Sequence, residues 1–218
     1  MRLHLTRSLA AIAAIAIVSG CAARAADSDI PTMRQAHMQM TLHQPQRPGD
    51  RARANAIVAA ARKVMAEYPT VQAAEDAGFT KFLPRIPLPV EHYTKRAYAI
   101  EAARGHFDPM HPTSLIFQRN GATLTLAGVM YTASNRADRA ELNRDVPLSF
   151  GTWHRHVDFC APLDGVRSSI NTADACAKAG GTFIPIVFGW MVHVWPNENT
   201  DAAIWAVDRN GSMERTSM

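Results

Sequence analysis

Apolar residues recur at three- and four-residue intervals from Asp50 onward: Ala54, Ile57, Val58, Ala61, Val64, Met65 and Tyr68 would line one face of a helix. Asp50 stands where a helix cap is expected, and Pro69 removes the donor that a further turn would need. A second, short helix is expected over residues 71–77, with Thr70 as its cap and Gly78 as its left-handed stop. Residues 83–89 carry three prolines among apolar neighbours and read as an extended covering segment rather than a central strand. The period then changes from helical to alternating. Residues 114–119 and 122–131 are apolar and β-rich, and the Asn120-Gly121 pair between them is what a two-residue hairpin turn prefers.

A helical piece over 136–143, a strand over 152–159 and a short helix over 171–179 ending at Gly180-Gly181 follow. Residues 183–195 are β-branched and aromatic but contain Pro185 and Gly189, which suits two strands or one bent strand. With helices first and strands later, the expected fold is α+β: N-terminal helices packed on a mainly antiparallel sheet, with barrel-like closure compatible.

The first 20 residues differ in kind. Arg2 and Arg7 precede an uncharged apolar run from Leu9 to Val18, and Val18-Ser19-Gly20-Cys21 has the layout of a bacterial lipobox. Cys21 would then be the lipidated N-terminus of an envelope protein, facing the periplasm from the outer membrane if the cell has two membranes. An ordinary signal peptide cut within Ala22 to Ala26 is the alternative, and it also predicts export. The apolar run is too short for a membrane span, which needs about 20 residues. The expected organisation is a signal peptide over 1–20, a flexible tether over 21–49, one globular domain over 50–210 and a disordered tail over 211–218.

Cutting after residue 20 removes two of the 23 basic residues, Arg2 and Arg7, and none of the 19 acidic ones, leaving a net charge of about +2. That balance gives no reason to expect a nucleic-acid partner. The membrane, through the lipid, is the one partner the sequence names. With Cys21 taken by lipid, Cys160 and Cys176 remain as an even pair in an oxidising compartment, so a disulfide is expected between them.

The chemistry concentrates in histidine. His154-Arg155-His156 falls in an expected strand, where residues two apart share a face at roughly 6.5 to 7 Å. Two imidazoles so placed can converge on one metal, although such pairs also decorate sheet faces without one. His193 lies in Trp190-Met191-Val192-His193-Val194-Trp195, and a histidine in so apolar a segment needs either hydrogen-bond partners or a metal. Asp158 would share the face of His154 and His156, as a ligand or to orient one. Met191 could add a thioether, favouring copper, or simply fill the core.

His106 and His111, beside Asp-Pro and His-Pro turns, more naturally decorate a loop. Met33, His37, Met38, Met40 and His43 in the tether are soft ligands that copper could use, but an unstructured tether would not preorganise them. No Gly-x-Ser-x-Gly elbow, phosphate-binding glycine loop or His-Glu-x-x-His is present, which leaves the better-marked hydrolase, nucleotide-binding and metalloprotease readings unsupported.

One ordered set of motifs runs from Tyr68-Pro-Thr-Val71-Gln-Ala-Ala74-Glu-Asp-Ala-Gly78-Phe79 through His92-Tyr93, Pro112-Thr-Ser-Leu115-Ile-Phe117 and Leu124-Thr-Leu126-Ala-Gly128-Val129-Met-Tyr131 to His193-Val-Trp195-Pro-Asn197. Over roughly residues 50–207 it resembles a group of exported bacterial proteins, without an established activity, that carry a helix pair, a hairpin and a His-Val-Trp strand. The resemblance implies that His92 partners His193. The chain departs from the group at Met130, where an acid is expected, and at Pro196-Asn197, where Asn-Pro is usual. A weaker likeness, to the cupins, rests on His154-x-His156 with Cys160 and on His193 with Asn197, but cysteine stands where glutamate belongs.

Together these features predict an exported lipoprotein with a mononuclear site for a divalent transition metal (zinc, iron or copper) built from His154, His156 and His193, with His92 as a fourth ligand. Whether such a site is catalytic is left open. The competing expectations are a non-catalytic binding or structural envelope protein, with Trp153, Trp190 and Trp195 in a groove or core, and a copper-binding or trafficking protein.

Overall fold

The computed structural model describes residues 30, 32–84 and 88–209. The expected signal peptide over 1–20, the expected lipidation site Cys21 and the expected tail over 211–218 lie outside the described residues. Among those described, the chain forms nine strands and six helices, and the architecture is α+β with a mainly antiparallel sheet. The sheet runs β1 (Thr32–Gln35), β2 (Met38–Thr41), β7 (His154–Ala161), β9 (Trp190–Val194), β6 (Thr123–Ala133), β5 (Ser114–Asn120), β4 (Val90–Thr94) and β3 (Thr80–Lys81), with β8 (Thr182–Ile186) paired to β7 beyond this path. Its ends do not meet, so it is not a barrel.

Helix α1 (Asp50–Glu67) buries the predicted stripe, including Ala54, Ile57, Ala61 and Val64, against one sheet face. Gly49 occupies the cap position instead of Asp50. The Asp50 carboxylate accepts from the Arg47 amide at 2.9 Å and the Ser149 hydroxyl at 2.8 Å, tying the helix start to the β7 approach. Helix α2 (Val71–Asp76) follows with Thr70 accepting from the Ala73 amide and Gly78 at φ 88°, as the sequence implies. Further along the chain come α3 (Arg96–Ala103), α4 (Arg139–Asp145), α5 (Ala173–Lys178) and α6 (Asp201–Ile204). The capping box of Asp138 and Glu141 starts α4, and Leu142 carries it into the core. Strand alternation supplies the other half of that core: Leu115, Val129, Tyr131, Val192 and Val194 face the helices, with Trp153 and Trp190 fully buried among them.

The hairpin forms, shifted by one residue. Asn120 pairs with Thr123, so the two loop residues are Gly121 and Ala122. Only Gly121 has a positive φ, at 61°, which is the type II′ pattern with glycine first. Asn120 is therefore the last strand residue.

Two larger corrections concern what precedes the helices and what covers the sheet. The segment expected to be a flexible tether contributes β1 and β2, and Met38 and Met40 are buried where β2 pairs with β7. The sequence puts His92 just beyond the extended covering segment at 83–89 and in no expected strand. His92 instead sits within the sheet, on β4, opposite Ile116 of β5.

Cys160 and Cys176 form the expected disulfide, with Cα atoms 5.5 Å apart, joining β7 to α5. The bond closes a loop of sequence separation 16, so replacing both cysteines with alanine should lower the unfolding free energy by about 3 kcal/mol. Urea denaturation of the double variant against the wild type measures this directly.

Candidate metal centre

Cross-strand register decides which side chains share the face turned away from α1. Met38 lies opposite His156, Met40 and Met191 opposite His154, and Met130 opposite His193. His92 and Ile116 continue the same face on β4 and β5. Ile116, Met130, Met191 and Trp195 form a small second core there with Ala127.

Three strand spacings separate β9 from β4, about 14 Å along a flat sheet. Yet the Nε2 atoms of His92 and His193 are only 3.4 Å apart. Such an approach requires the sheet to curl around this face. A register shift between Ile116 and Phe117, opposite Ala127 and Gly128, supplies the bend, since a bulge sharpens both twist and curvature. Gly128 also admits Trp195: a Cβ there would lie 2.6 Å from the Val194 carbonyl oxygen and 2.7 Å from the Trp195 ring.

The four predicted histidines are therefore in ring contact pairwise, from His92 through His193 and His154 to His156. The His154 and His193 rings are 4.8 Å apart between centroids, His92 and His193 5.5 Å, and His154 and His156 6.3 Å. They line one cavity of about 150 Å3 together with Met38, Trp195 and Asp208. Nδ1–H of His193 donates to the Val207 carbonyl at 2.6 Å, which leaves the Nε2 lone pair facing His92. Trp195 Nε1–H donates to the neighbouring Ala206 carbonyl at 2.8 Å, so one C-terminal strap orients both rings. Orientation of an imidazole through its second nitrogen is what a ligating histidine requires. His154 is fully buried, and its Nδ1 makes no well-formed hydrogen bond. A buried donor or acceptor left in that state costs about 1–3 kcal/mol.

Burial also sets the charge. Desolvation, reinforced by neighbouring imidazoles, pushes His92 down to about 3, and desolvation pushes His193 down to about 4, against a weaker upward pull from its bond to Val207. His154 is held well below the usual histidine range by burial, only partly offset by the backbone of Thr152, and His156 is lowered for the same primary reason. The cluster is neutral at pH 7, the state in which imidazole ligates metals. Among the described residues, no three His, Cys, Asp or Glu side chains are already gathered around one metal-sized point. His92 and His193 are at ligand spacing, whereas His154 and His156 would have to rotate to join them.

Several other candidates lie elsewhere. Asp158 adopts a left-handed φ of 59°, which breaks strand alternation, and its carboxylate pairs with Arg34 at 2.6 Å; it is not on the histidine face as expected. Cys160 is committed to the disulfide. His106 and His111 are exposed and pair with Glu101 and Asp108 in the loop before β5. From the former tether, His37 stacks on Phe159, whose ring also meets His156 at the edge of the cluster, and His43 bonds to Thr152. Met33 is exposed, whereas Met38 enters the site. Met38 is among the soft ligands read from the sequence, but its place on a strand at the site was not anticipated, nor was the strap at Ala206 and Val207. The alternation of Met38 and Met40 was the available signal for the first, and no local pattern marked the second.

Comparison of the chain with protein-family models, curated proteins and solved structures gives no match in any of the three.

Proposed function

We propose that this is an exported, lipid-anchored envelope protein that holds one transition-metal ion on the curled face of its sheet, through His92 and His193 with His154 or His156 completing the set. The observation that carries the reading is the 3.4 Å separation of the His92 and His193 Nε2 atoms. Two nitrogens bound at 2.0–2.1 Å to a tetrahedral ion stand about 3.3–3.4 Å apart. The same separation suits a weak N–H···N bond, so metal content decides between the two. The neutral state of the buried rings supports ligation. A three-histidine site with an open position could activate water or oxygen, and a closed one would be structural.

The cross-strand methionines favour copper as the second reading. Met38, Met40, Met130 and Met191 each stand opposite a ligand candidate, and thioethers beside imidazoles select Cu(I) over zinc.

Protein extracted in detergent and titrated with zinc, cobalt(II) and, under reducing conditions, copper(I) should take up one ion per chain. The His154→Ala/His156→Ala double variant should lose most of that uptake. Full metal content in the double variant would exclude His154 and His156 as ligands and overturn this site, and no uptake by the wild type would return the protein to the non-catalytic, metal-free class. The anchor is tested separately: Cys21→Ser should leave an unlipidated precursor that retains residues 1–20, visible by mass spectrometry, and a wild-type chain recovered from the cytoplasm with residues 1–20 intact would refute export.

A further inference from the structure

A cavity of about 430 Å3 opens beside the histidine cluster, and His92 and His156 belong to the walls of both. Its size falls at the lower end of the 300–1,000 Å3 typical of small-molecule sites. Ala99 and Ala103 of α3 form one wall, and Met130 and Met191 form the floor. Among the described residues, no Asp, Glu, Lys or Arg side chain lines it. Its threonine hydroxyls are engaged with protein partners, Thr113 bonding Thr132 at 2.7 Å and Thr94 bonding Ser114 at 2.8 Å, while Ser134 and Asn135 add neutral polar groups to the lining. At its mouth Phe82 and Phe188 meet edge-to-face with centroids 5.3 Å apart, although both are more than 40 % exposed. Two large exposed rings on neighbouring loops lose apolar contact with water only when something sits between or beneath them.

We propose that this cavity binds a small, uncharged, mainly aromatic molecule whose single polar head reaches His92 and His156. The apolar walls accept a ring and reject charge, because a charged group would enter without a countercharge from the described lining. The imidazole end presents His92 and His156, the two side chains that this cavity shares with the histidine cluster, to a heteroatom. The direction of the head rests on the metal reading above, since a bound ion at His92 would draw a lone pair toward it. Burial of the ring does not.

The test compares imidazole with 4-phenylimidazole, and 4-(4-fluorophenyl)imidazole for fluorine NMR, on the detergent-extracted protein with and without cobalt(II). The phenyl group should tighten binding about tenfold or more over imidazole itself, by burying its ring. Ala99→Trp, which fills the cavity from α3, should abolish that gain and leave metal uptake and imidazole binding unchanged. Phe82→Ala/Phe188→Ala should reduce the gain without filling the cavity, which guards against a folding defect in the tryptophan variant. In the cobalt-loaded wild type, 4-phenylimidazole should shift the visible d–d bands at concentrations where imidazole does not.

A phenyl gain that is absent, or that survives in both variants, overturns the proposal. A phenyl gain that is present and sensitive to Ala99→Trp, with no cobalt bands under any condition, overturns the metal reading and the orientation of the head, while the aromatic site stands.

Discussion

Replacing His193 with glutamine should weaken metal binding by more than about 100-fold, because loss of a ligand exceeds the 10- to 100-fold cost of losing a group that merely orients one. His193 is the centre of the cluster: it touches His92 through Nε2 and His154 through its ring, and the Val207 carbonyl fixes its tautomer. Glutamine retains a donor for Val207 and much of the buried volume, so a loss of metal without a loss of circular dichroism separates ligation from folding. His106→Ala is the matched control, since His106 is exposed and pairs only with Glu101. Equal affinity in His193→Gln and wild type would mean that the histidines are a hydrogen-bonded core.

Elements governed by local pattern were legible in the sequence: α1 from its apolar stripe, α2 from its cap and glycine stop, α5 from its glycine stop, and the β5–β6 hairpin from its turn. The strands that were missed lack such a pattern. In β4 the inward positions are Glu91 and Tyr93, and a buried glutamate disguises the alternation. Burial alone would raise the carboxyl, but hydrogen bonds from Arg119 and Lys81 hold it below the ordinary carboxylate range, so the charge is kept inside by two cations from neighbouring strands. Strand β2 is four residues long and owes its order to pairing with β7, which no window centred on residue 39 contains. Helix α3 buries no residue fully and so shows no apolar stripe.

The site was legible to the same degree and for the same reason. His154-x-His156 and the apolar setting of His193 are local signals. His92 entered only through the resemblance, and its approach to His193 depends on the curl of four strands. Curvature of that kind is set by the bulge at Ile116 and by the fit of Trp195 over Gly128. Neither is encoded in the hydrophobic pattern of a single strand. The Asp158 reading failed because alternation assumes regular β geometry, and one left-handed residue suspends it.

The metal-free protein should lose stability steeply as the pH falls below about 6.5, the ordinary histidine value. In the folded state, burial holds His92 near 3, His193 near 4 and His154 well below its usual range, whereas in the unfolded chain all three protonate near 6.5. Between those limits the unfolded state binds more protons than the folded one. The unfolding free energy therefore rises with pH in this window and falls on acidification, by about 1.4 kcal/mol per pH unit for each neutral histidine. Counting only two of the three, to allow for the partial exposure of His92 and His193, the slope near pH 5 is about 3 kcal/mol per unit. A domain stable by about 5–15 kcal/mol would lose a large part of that within two units. The loss continues to about pH 4 for His193 and about pH 3 for His92, where the folded rings also accept protons. Urea titrations at half-unit steps from pH 7.5 to 4.5 read the proton uptake from the slope, and His193→Gln should lower it by close to one proton. Saturating zinc should move the onset of the loss to lower pH, because protons must then displace the ion before the rings can charge. A stability profile flat between pH 6.5 and 5 would show that the histidines titrate normally and are open to water, and would remove the buried cluster on which the metal site depends.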